Sequence, residues 1–169
     1  VVTDAGGSIR IPASCCAIFG LKPTLGLVAM APTFGGLETL SHTGPMTRTV
    51  RDAALMLNSM VGADPRDLSS LPAVETDYLA GLDQGVQGLR VAWSPDWGYA
   101  AVDPDVRQIA EAAAKRFTDL GCQVEEAHPG FDDPAETYQI LSTANRAARV
   151  ADRWPAERDR IDPSLAIQI

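Results

Sequence analysis

The segment of residues 4–10, DAGGSIR, places a serine directly after two glycines. Consecutive glycines such as Gly6 and Gly7 can adopt backbone conformations closed to other residues, so that successive N–H groups point into one concavity. Such a concavity stabilises an oxyanion that develops during acyl transfer. Ser8, at its edge, is a candidate nucleophile, although a glycine–glycine–serine triplet taken alone is also typical of a flexible turn.

Other catalytic patterns are largely excluded by the sequence. The G-x-S-x-G pattern fails because Ile9 and Arg10 follow Ser8, and Ser-x-x-Lys fails at every serine because Lys22 and Lys115 are the only lysines. A Ser-His-Asp triad built on one of the two histidines, His42 and His128, stays open. Metal-ligand spacings and the phosphate-binding glycine motifs are absent, so neither a metal nor a cofactor is predicted.

Composition limits the partners. The chain has 169 residues with 14 Lys+Arg against 22 Asp+Glu, a net charge of −8, which argues against nucleic acid and anionic membranes as partners. At 46% apolar residues it is typical of a globular protein rather than a disordered one. Three cysteines without CxxC spacing, and no signal peptide or long apolar run in this sequence, favour the cytoplasm. A homo-oligomer is left open.

The first half of the chain predicts short elements around loops. We expect a helix that begins near Pro12 and stops before Gly20, and a short strand over residues 26–30. Thr49, with Asp52 three residues later, predicts the start of an amphipathic helix that ends at Gly62. A short helix is expected over residues 76–82.

The second half predicts a strand–helix–strand unit. Strands are expected at residues 89–94 and 122–126, and a helix at 104–120, with Asp103 as N-cap and Gly121 as stop signal. A further helix is expected over residues 134–154. The apolar face of the central helix is predicted to pack on the strands, through Val106, Ile109, Ala110, Ala113, Phe117 and Leu120.

Residues 3–26, TDAGGSIRIPASCCAIFGLKPTLG, closely resemble the signature of the amidase signature family, G-T-D-x-G-G-S-I-R-x-P-A-x-x-C-G-x-x-G-L-K-P-T. The resemblance continues through residues 42–50, 64–67 and 89–126. It implies an α/β fold with a mixed β-sheet flanked by helices. In this interpretation, residues 1–169 are one partial domain: residues 1–62 carry the serine loop, 63–88 are a connector and 89–169 contain the βαβ unit.

The resemblance implies hydrolysis of a small-molecule amide by a Ser–cis-Ser–Lys triad. Ser8 is then the nucleophile, and backbone N–H groups of Ala5, Gly6, Gly7 and Ser8 form the oxyanion hole. In the family, the lysine and the bridging serine lie upstream of the GGSIR string, whereas this chain begins seven residues before Ser8. We therefore expect an internal fragment that is inactive alone. Lys22 matches the GLKPT string and is not the catalytic lysine.

Thr3, Asp4 and Arg10 are expected to support the loop. Arg10 is expected to pair with Asp4 rather than to steer substrate, since a buried carboxylate needs a partner. Cys16 matches the family cysteine and is expected to be a small packing residue, and His42 is a candidate channel residue.

Two further functions stay open at this point. The parent protein could be the amidase subunit of a transamidating complex that releases ammonia to a partner. Alternatively, the chain is a non-catalytic α/β interaction module in which GGSIR only holds a turn. The substrate is not determined, because fold and motif do not name it.

Overall fold

The computed structural model describes residues 1–31, 39–72 and 75–167. The chain divides into two compact units, one of Val1–Leu82 with Ile140–Ile169 and one of Asp83–Gln139. The subdivision at residues 62 and 88 that the sequence suggests stays a prediction. None of the helices in the described residues has the length and apolar character needed to cross a membrane.

In the first unit, two short antiparallel strand pairs surround a short helix. Strand β1 (Val2–Asp4) leads to helix α1 (Arg10–Cys15) and strand β2 (Phe19–Gly20). Strands β3 (His42–Gly44) and β4 (Met46–Thr47) pair with β1 and β2, respectively. These contacts hold residues 2–20 against residues 42–47.

Gly20 was predicted to end the first helix, and this was wrong, because Gly20 lies in β2. A Cβ at Gly20 would lie 2.6 Å from the Cβ of Ala13, so glycine is needed where the strand passes α1. The strand expected over residues 26–30 is reduced to a single bridge between Val28 and Gly62, because residues 25–27 form a turn.

Helix α2 (Val50–Met60) confirms the prediction from its capping residues. The Thr49 side chain accepts a hydrogen bond from the Asp52 N–H at 3.1 Å. The inner face of the helix is buried through Ala53, Ala54 and Leu57. The helix expected over residues 76–82 is instead a series of turns, in which Asp77 Oδ1 accepts the Leu79 N–H and so competes with helical bonding.

The second unit is a βαβ unit, as predicted. Strand β5 (Arg90–Trp93) pairs in parallel with β6 (Gln123–Glu126), and helix α3 (Pro104–Asp119) connects them. Asp103 Oδ1 caps α3 by accepting the N–H groups of Asp105 and Val106 at 2.9 and 3.4 Å.

The apolar face of α3 is less buried than the sequence predicted. Val106, Ile109 and Leu120 are 56, 71 and 58% exposed, whereas Ala114 is buried. The physical reason is size, because a sheet of two strands covers only part of a helix face. The prediction that this whole face packs on the strands is therefore wrong for these residues.

The helix predicted over residues 134–154 is shorter. Helix α4 (Ala135–Val150) is followed by a turn, a short helix α5 (Trp154–Glu157), a 3-10 turn over Arg158–Arg160 and a last helix α6 (Pro163–Ala166). The described strands form three two-stranded sheets, two antiparallel and one parallel. Helices and both kinds of strand pair together make an α/β protein.

Candidate active site

The GGSIR string lies between β1 and α1, and we call residues 4–10 the glycine loop. β1 delivers Asp4 to the start of the loop, where it lies opposite His42 in the antiparallel register with β3. α1 begins with Arg10 at the other end of the loop. A strand and a helix therefore hold the loop at both ends.

The Asp4 carboxylate organises the glycine loop from inside. It is fully buried and accepts backbone N–H groups from Gly7 at 2.6 Å and Ile9 at 3.2 Å. Arg10 adds two hydrogen bonds, from Nε at 2.9 Å and Nη2 at 3.0 Å, one to each carboxylate oxygen. The ion pair favoured from the sequence is thus present.

Electrostatics keep Asp4 ionised. The hydrogen bonds from the Arg10 guanidinium hold the pKa of the Asp4 carboxyl well below its usual range, and the N–H groups of Gly7 and Ile9 act in the same direction against the opposing effect of burial. The same pairing raises the pKa of Arg10. Because four donors converge on one buried carboxylate, the backbone of the loop is fixed by a single side chain.

Gly7 is the residue that turns the loop. Its φ is +110°, and a Cβ there would lie 2.6 Å from Ile11 Cδ1. Its carbonyl accepts the Ile11 N–H at 2.7 Å, while its own N–H donates to Asp4. Gly7 is therefore not an open N–H donor in this structure, in contrast to the expectation from the resemblance.

The other three predicted donors are open. Within the described residues, no hydrogen-bond acceptor is found for the N–H groups of Ala5, Gly6 and Ser8. Ser8 itself is exposed and stands between two buried residues, Gly7 and Ile9. The loop thus presents a serine hydroxyl and neighbouring N–H groups on a firmly held backbone.

Ile9 secures the underside of the loop. It is fully buried, and the Cβ positions of Gly20 and Gly44 would lie 3.1 and 3.0 Å from its side chain. Gly20 belongs to the GLKPT part of the string, so part of the long motif serves to accommodate the residue next to Ser8. Sequence reasoning did not identify Ile9.

The remaining predicted residues are more peripheral. Thr3 is exposed in β1 opposite Thr43, and the half-buried His42 donates from Nδ1 to the Leu40 carbonyl at 2.9 Å. Cys16 is exposed, so the expectation that it packs inside was wrong, because it lies at the C-terminal end of a helix of only six residues. Lys22 Nζ donates to the Pro23 carbonyl at 3.3 Å.

The second unit brings together a histidine, a serine and an aspartate, which we call the histidine corner (Ser94, Asp96, Trp97 and His128). Ser94 Oγ lies 2.9 Å from His128 Nδ1, and Asp96 Oδ1 lies 3.7 Å from the same nitrogen. A catalytic triad needs the serine and the acid on opposite ring nitrogens. The triad left open for His128 is therefore not formed here.

The described residues contain no cluster of three His, Cys, Asp or Glu side chains that could hold a metal ion. What they contain is an exposed serine on a braced glycine loop in an α/β chain. The chain belongs to the Amidase family, whose sequence profile matches residues 1–162.

Curated relatives agree with this assignment. An acylamidase of Rhodococcus erythropolis is 42% identical over 163 residues, which are 89% of this chain and 34% of that protein. A glutamyl-tRNA(Gln) amidotransferase subunit of Geobacter sp. (strain M21) is 38% identical over 150 residues, which are 88% of this chain and 31% of that protein. The chain spans about a third of the length of these relatives.

Solved structures show the same fold. A bacterial aryl acylamidase of the amidase signature enzymes family matches with a TM-score of 0.81 and 32% identity, covering 99% of this chain and 36% of that one. A glutamyl-tRNA(Gln) amidotransferase subunit from Thermotoga maritima matches with a TM-score of 0.69 and 28% identity, covering 99% and 35%. The expected α/β fold is thereby confirmed.

Proposed function

We propose that Ser8 is the nucleophile of an amidase that hydrolyses a small-molecule carboxylic amide. The observation that carries this proposal is the glycine loop, where the buried Asp4 fixes the backbone on both sides of an exposed serine. The similarity to an acylamidase supports the same reaction. The net charge of −8 favours neither nucleic acid nor an anionic membrane as partner, and a homo-oligomer stays open.

In the proposed reaction, Ser8 Oγ attacks the amide carbon and the carbonyl oxygen becomes an oxyanion. The open N–H groups of Ala5, Gly6 and Ser8 donate to that oxygen, while the Gly7 N–H keeps the loop bound to Asp4. The C–N bond then breaks, the nitrogen leaves with a proton as ammonia or an amine, and water hydrolyses the acyl ester.

The resemblance assigns the Ser8 proton to a lysine, which receives it through a bridging serine. Neither residue has a matching position in this sequence, so no residue of this chain is proposed as the base. Asp4, Arg10 and Thr3 are proposed as loop supports, because Asp4 and Arg10 hold the backbone without contacting the reacting atoms. Loss of one oxyanion donor costs about 10²–10³ in rate in other acyl-transfer enzymes, so this geometry matters.

A second candidate function is that of an amidase subunit in a transamidating amidotransferase. The similarity to subunits of glutamyl-tRNA(Gln) amidotransferases favours it. The same serine loop serves both functions, so the destination of the ammonia discriminates between them. Copurification with a partner that consumes ammonia, and hydrolysis that depends on this partner, would favour the amidotransferase.

The proposal is tested by replacing the matching third of the Rhodococcus erythropolis acylamidase with residues 1–162 of this chain and assaying amide hydrolysis. We expect an active chimera that loses activity when Ser8→Ala is introduced. The matched control is Ser14→Ala, which changes an exposed serine of α1 in the same segment and should leave the rate unchanged. A folded, active Ser8→Ala chimera would support the non-catalytic module instead.

A further inference from the structure

A cavity of about 480 Å³ opens at the carboxyl ends of the parallel strands β5 and β6, entirely within the unit Asp83–Gln139. Small-molecule sites of α/β sheets lie outside the carboxyl ends of parallel strands. The volume is within the range of ligand pockets, about 300–1,000 Å³. Its lining is mostly apolar and includes two indole rings: Ala92, Trp93, Ser94, Trp97, Ala127, His128 and Pro129.

The turn after β5 holds one of these indoles in an uncommon conformation. Trp97 has a φ of +60°, a left-handed value that a bulky residue rarely adopts. Its N–H donates to Ser94 Oγ at 2.9 Å, and the next N–H, from Gly98, donates to Asp96 Oδ1 at 2.9 Å. Residues held in such conformations are concentrated at ligand sites. The strain therefore points to a role for the exposed Trp97 ring beyond packing.

The hydrogen bonds of Ser94 determine which nitrogen of His128 carries the proton. Ser94 Oγ already accepts the Trp97 N–H, and among the described residues its own proton has His128 Nδ1 as acceptor, at 2.9 Å. Nδ1 is then the acceptor of the neutral imidazole and Nε2 carries the hydrogen. Nε2 has no partner within the described part of the chain, so it is an available donor beside the two indoles.

Asp96 does not compete for this role. Its Oδ1 is 3.7 Å from His128 Nδ1, beyond hydrogen-bond distance. It is already bonded to Gly98, and its other oxygen lies 3.5 Å from Arg107 Nη1. The negative charge of Asp96 is thus balanced by Arg107, which lowers its repulsion toward an incoming oxygen atom.

We propose that this cavity binds a small aromatic molecule that carries an oxygen acceptor, a carboxylate or a carbonyl group. The ring lies against Trp93 and Trp97, where aromatic contacts are favourable, and the oxygen accepts a hydrogen bond from His128 Nε2. The site is independent of Ser8 and of the proposed amidase reaction.

The test uses the 169-residue chain with nitrogen-15 in its three indoles, Trp93, Trp97 and Trp154. Phenylacetate and acetophenone distinguish a carboxylate from a carbonyl acceptor, and phenethylammonium has a ring without an acceptor. We expect saturable shifts of the Trp93 and Trp97 N–H signals with at least one acceptor-bearing probe, and none at Trp154. Absence of saturation with both, or equal binding of phenethylammonium, overturns the proposal.

Variants locate the site. Trp97→Gly removes the ring at a backbone conformation that glycine adopts readily, and His128→Ala removes the donor. Each should weaken binding about tenfold, whereas His128→Gln, which keeps an N–H donor, should stay within about threefold of the original. Trp154→Phe is the control and should bind unchanged. Unaltered affinity in both Trp97→Gly and His128→Ala, with the fold verified by circular dichroism, refutes the site.

Discussion

The glycine loop and the histidine corner both place a serine near an aspartate, but they use the two side chains in opposite ways. In the glycine loop, Asp4 is buried and bonds to backbone N–H groups and Arg10, which leaves Ser8 without a partner in the described structure. In the histidine corner, Ser94 bonds to both Trp97 and His128. An acid that holds the backbone, rather than one beside a histidine, is thus what leaves a serine available.

The largest difference should be in serine reactivity. In the acylamidase chimera, a fluorescent phosphonate that reacts with activated serines should label Ser8, and mass spectrometry of the peptides should find no label on Ser94. Ser8→Ala should lower kcat by about 10⁶, the size seen when other serine hydrolases lose their nucleophile. A label on Ser94 would reverse the comparison.

The two aspartates should differ next, in their contribution to the free energy of unfolding. Asp4→Asn removes the charge from a buried carboxylate with four donors, and we expect a loss of about 3 kcal/mol. Asp96→Asn changes a more exposed pair and should cost less than about 1 kcal/mol. Urea unfolding of both variants measures this, and equal losses would show that the Asp4 network contributes no more than a surface pair.

Acid should affect the glycine loop through Asp4. The pKa of its carboxyl is lowered in the folded state, so its contribution to stability is fully present above about pH 4 and is lost as the pH falls below that value. Urea midpoints recorded between about pH 5 and pH 2.5 should therefore decrease, and Asp4→Asn should flatten the curve.

Asp64 must be controlled in that experiment. Its hydrogen bonds with Arg66 lower the pKa of Asp64 to about 2, so it loses stability in the same direction as the pH falls. The comparison is therefore made in an Asp64→Asn background. An unchanged slope after adding Asp4→Asn would assign the acid sensitivity to other carboxylates.

The smallest expected difference is in backbone strain. Gly7 and Trp97 both have positive φ values, +110° and +60°. Gly7→Ala should lower the free energy of unfolding by about 1–2 kcal/mol, whereas Trp97→Gly should leave it unchanged or raise it by up to about 1 kcal/mol. Thermal unfolding measures both, and destabilisation by Trp97→Gly would show that the exposed ring is needed for packing.

Local signals predicted much of the fold. Thr49 and Asp103 were recognised as N-caps, and the βαβ unit was recognised from its apolar spacing and Gly121, because capping and periodicity act over a few residues. Elements with weaker local signals were missed. Gly20 was interpreted as a helix stop, although it is a glycine because β2 passes close to Ala13.

The candidate site was predicted only in part. Ser8 and the Arg10–Asp4 pair were named from the sequence, since the GGSIR string is specific and a buried charge needs a partner. The bond between Asp4 and the Gly7 N–H was not, although it decides which N–H groups remain open. Ser94 and His128 are 34 residues apart, and only the parallel pairing of β5 and β6 brings them together.

The sequence by itself determined the family, the candidate nucleophile and the helix boundaries marked by caps, because each rests on residues close together in the chain. The tertiary structure decided which donors Asp4 occupies, where Ile9 is buried and how the histidine corner forms. These depend on contacts between distant segments, which a short motif does not specify. The exposed face of α3 has the same origin: periodicity shows that a helix has an apolar side, and only the packed chain shows how much of it is covered.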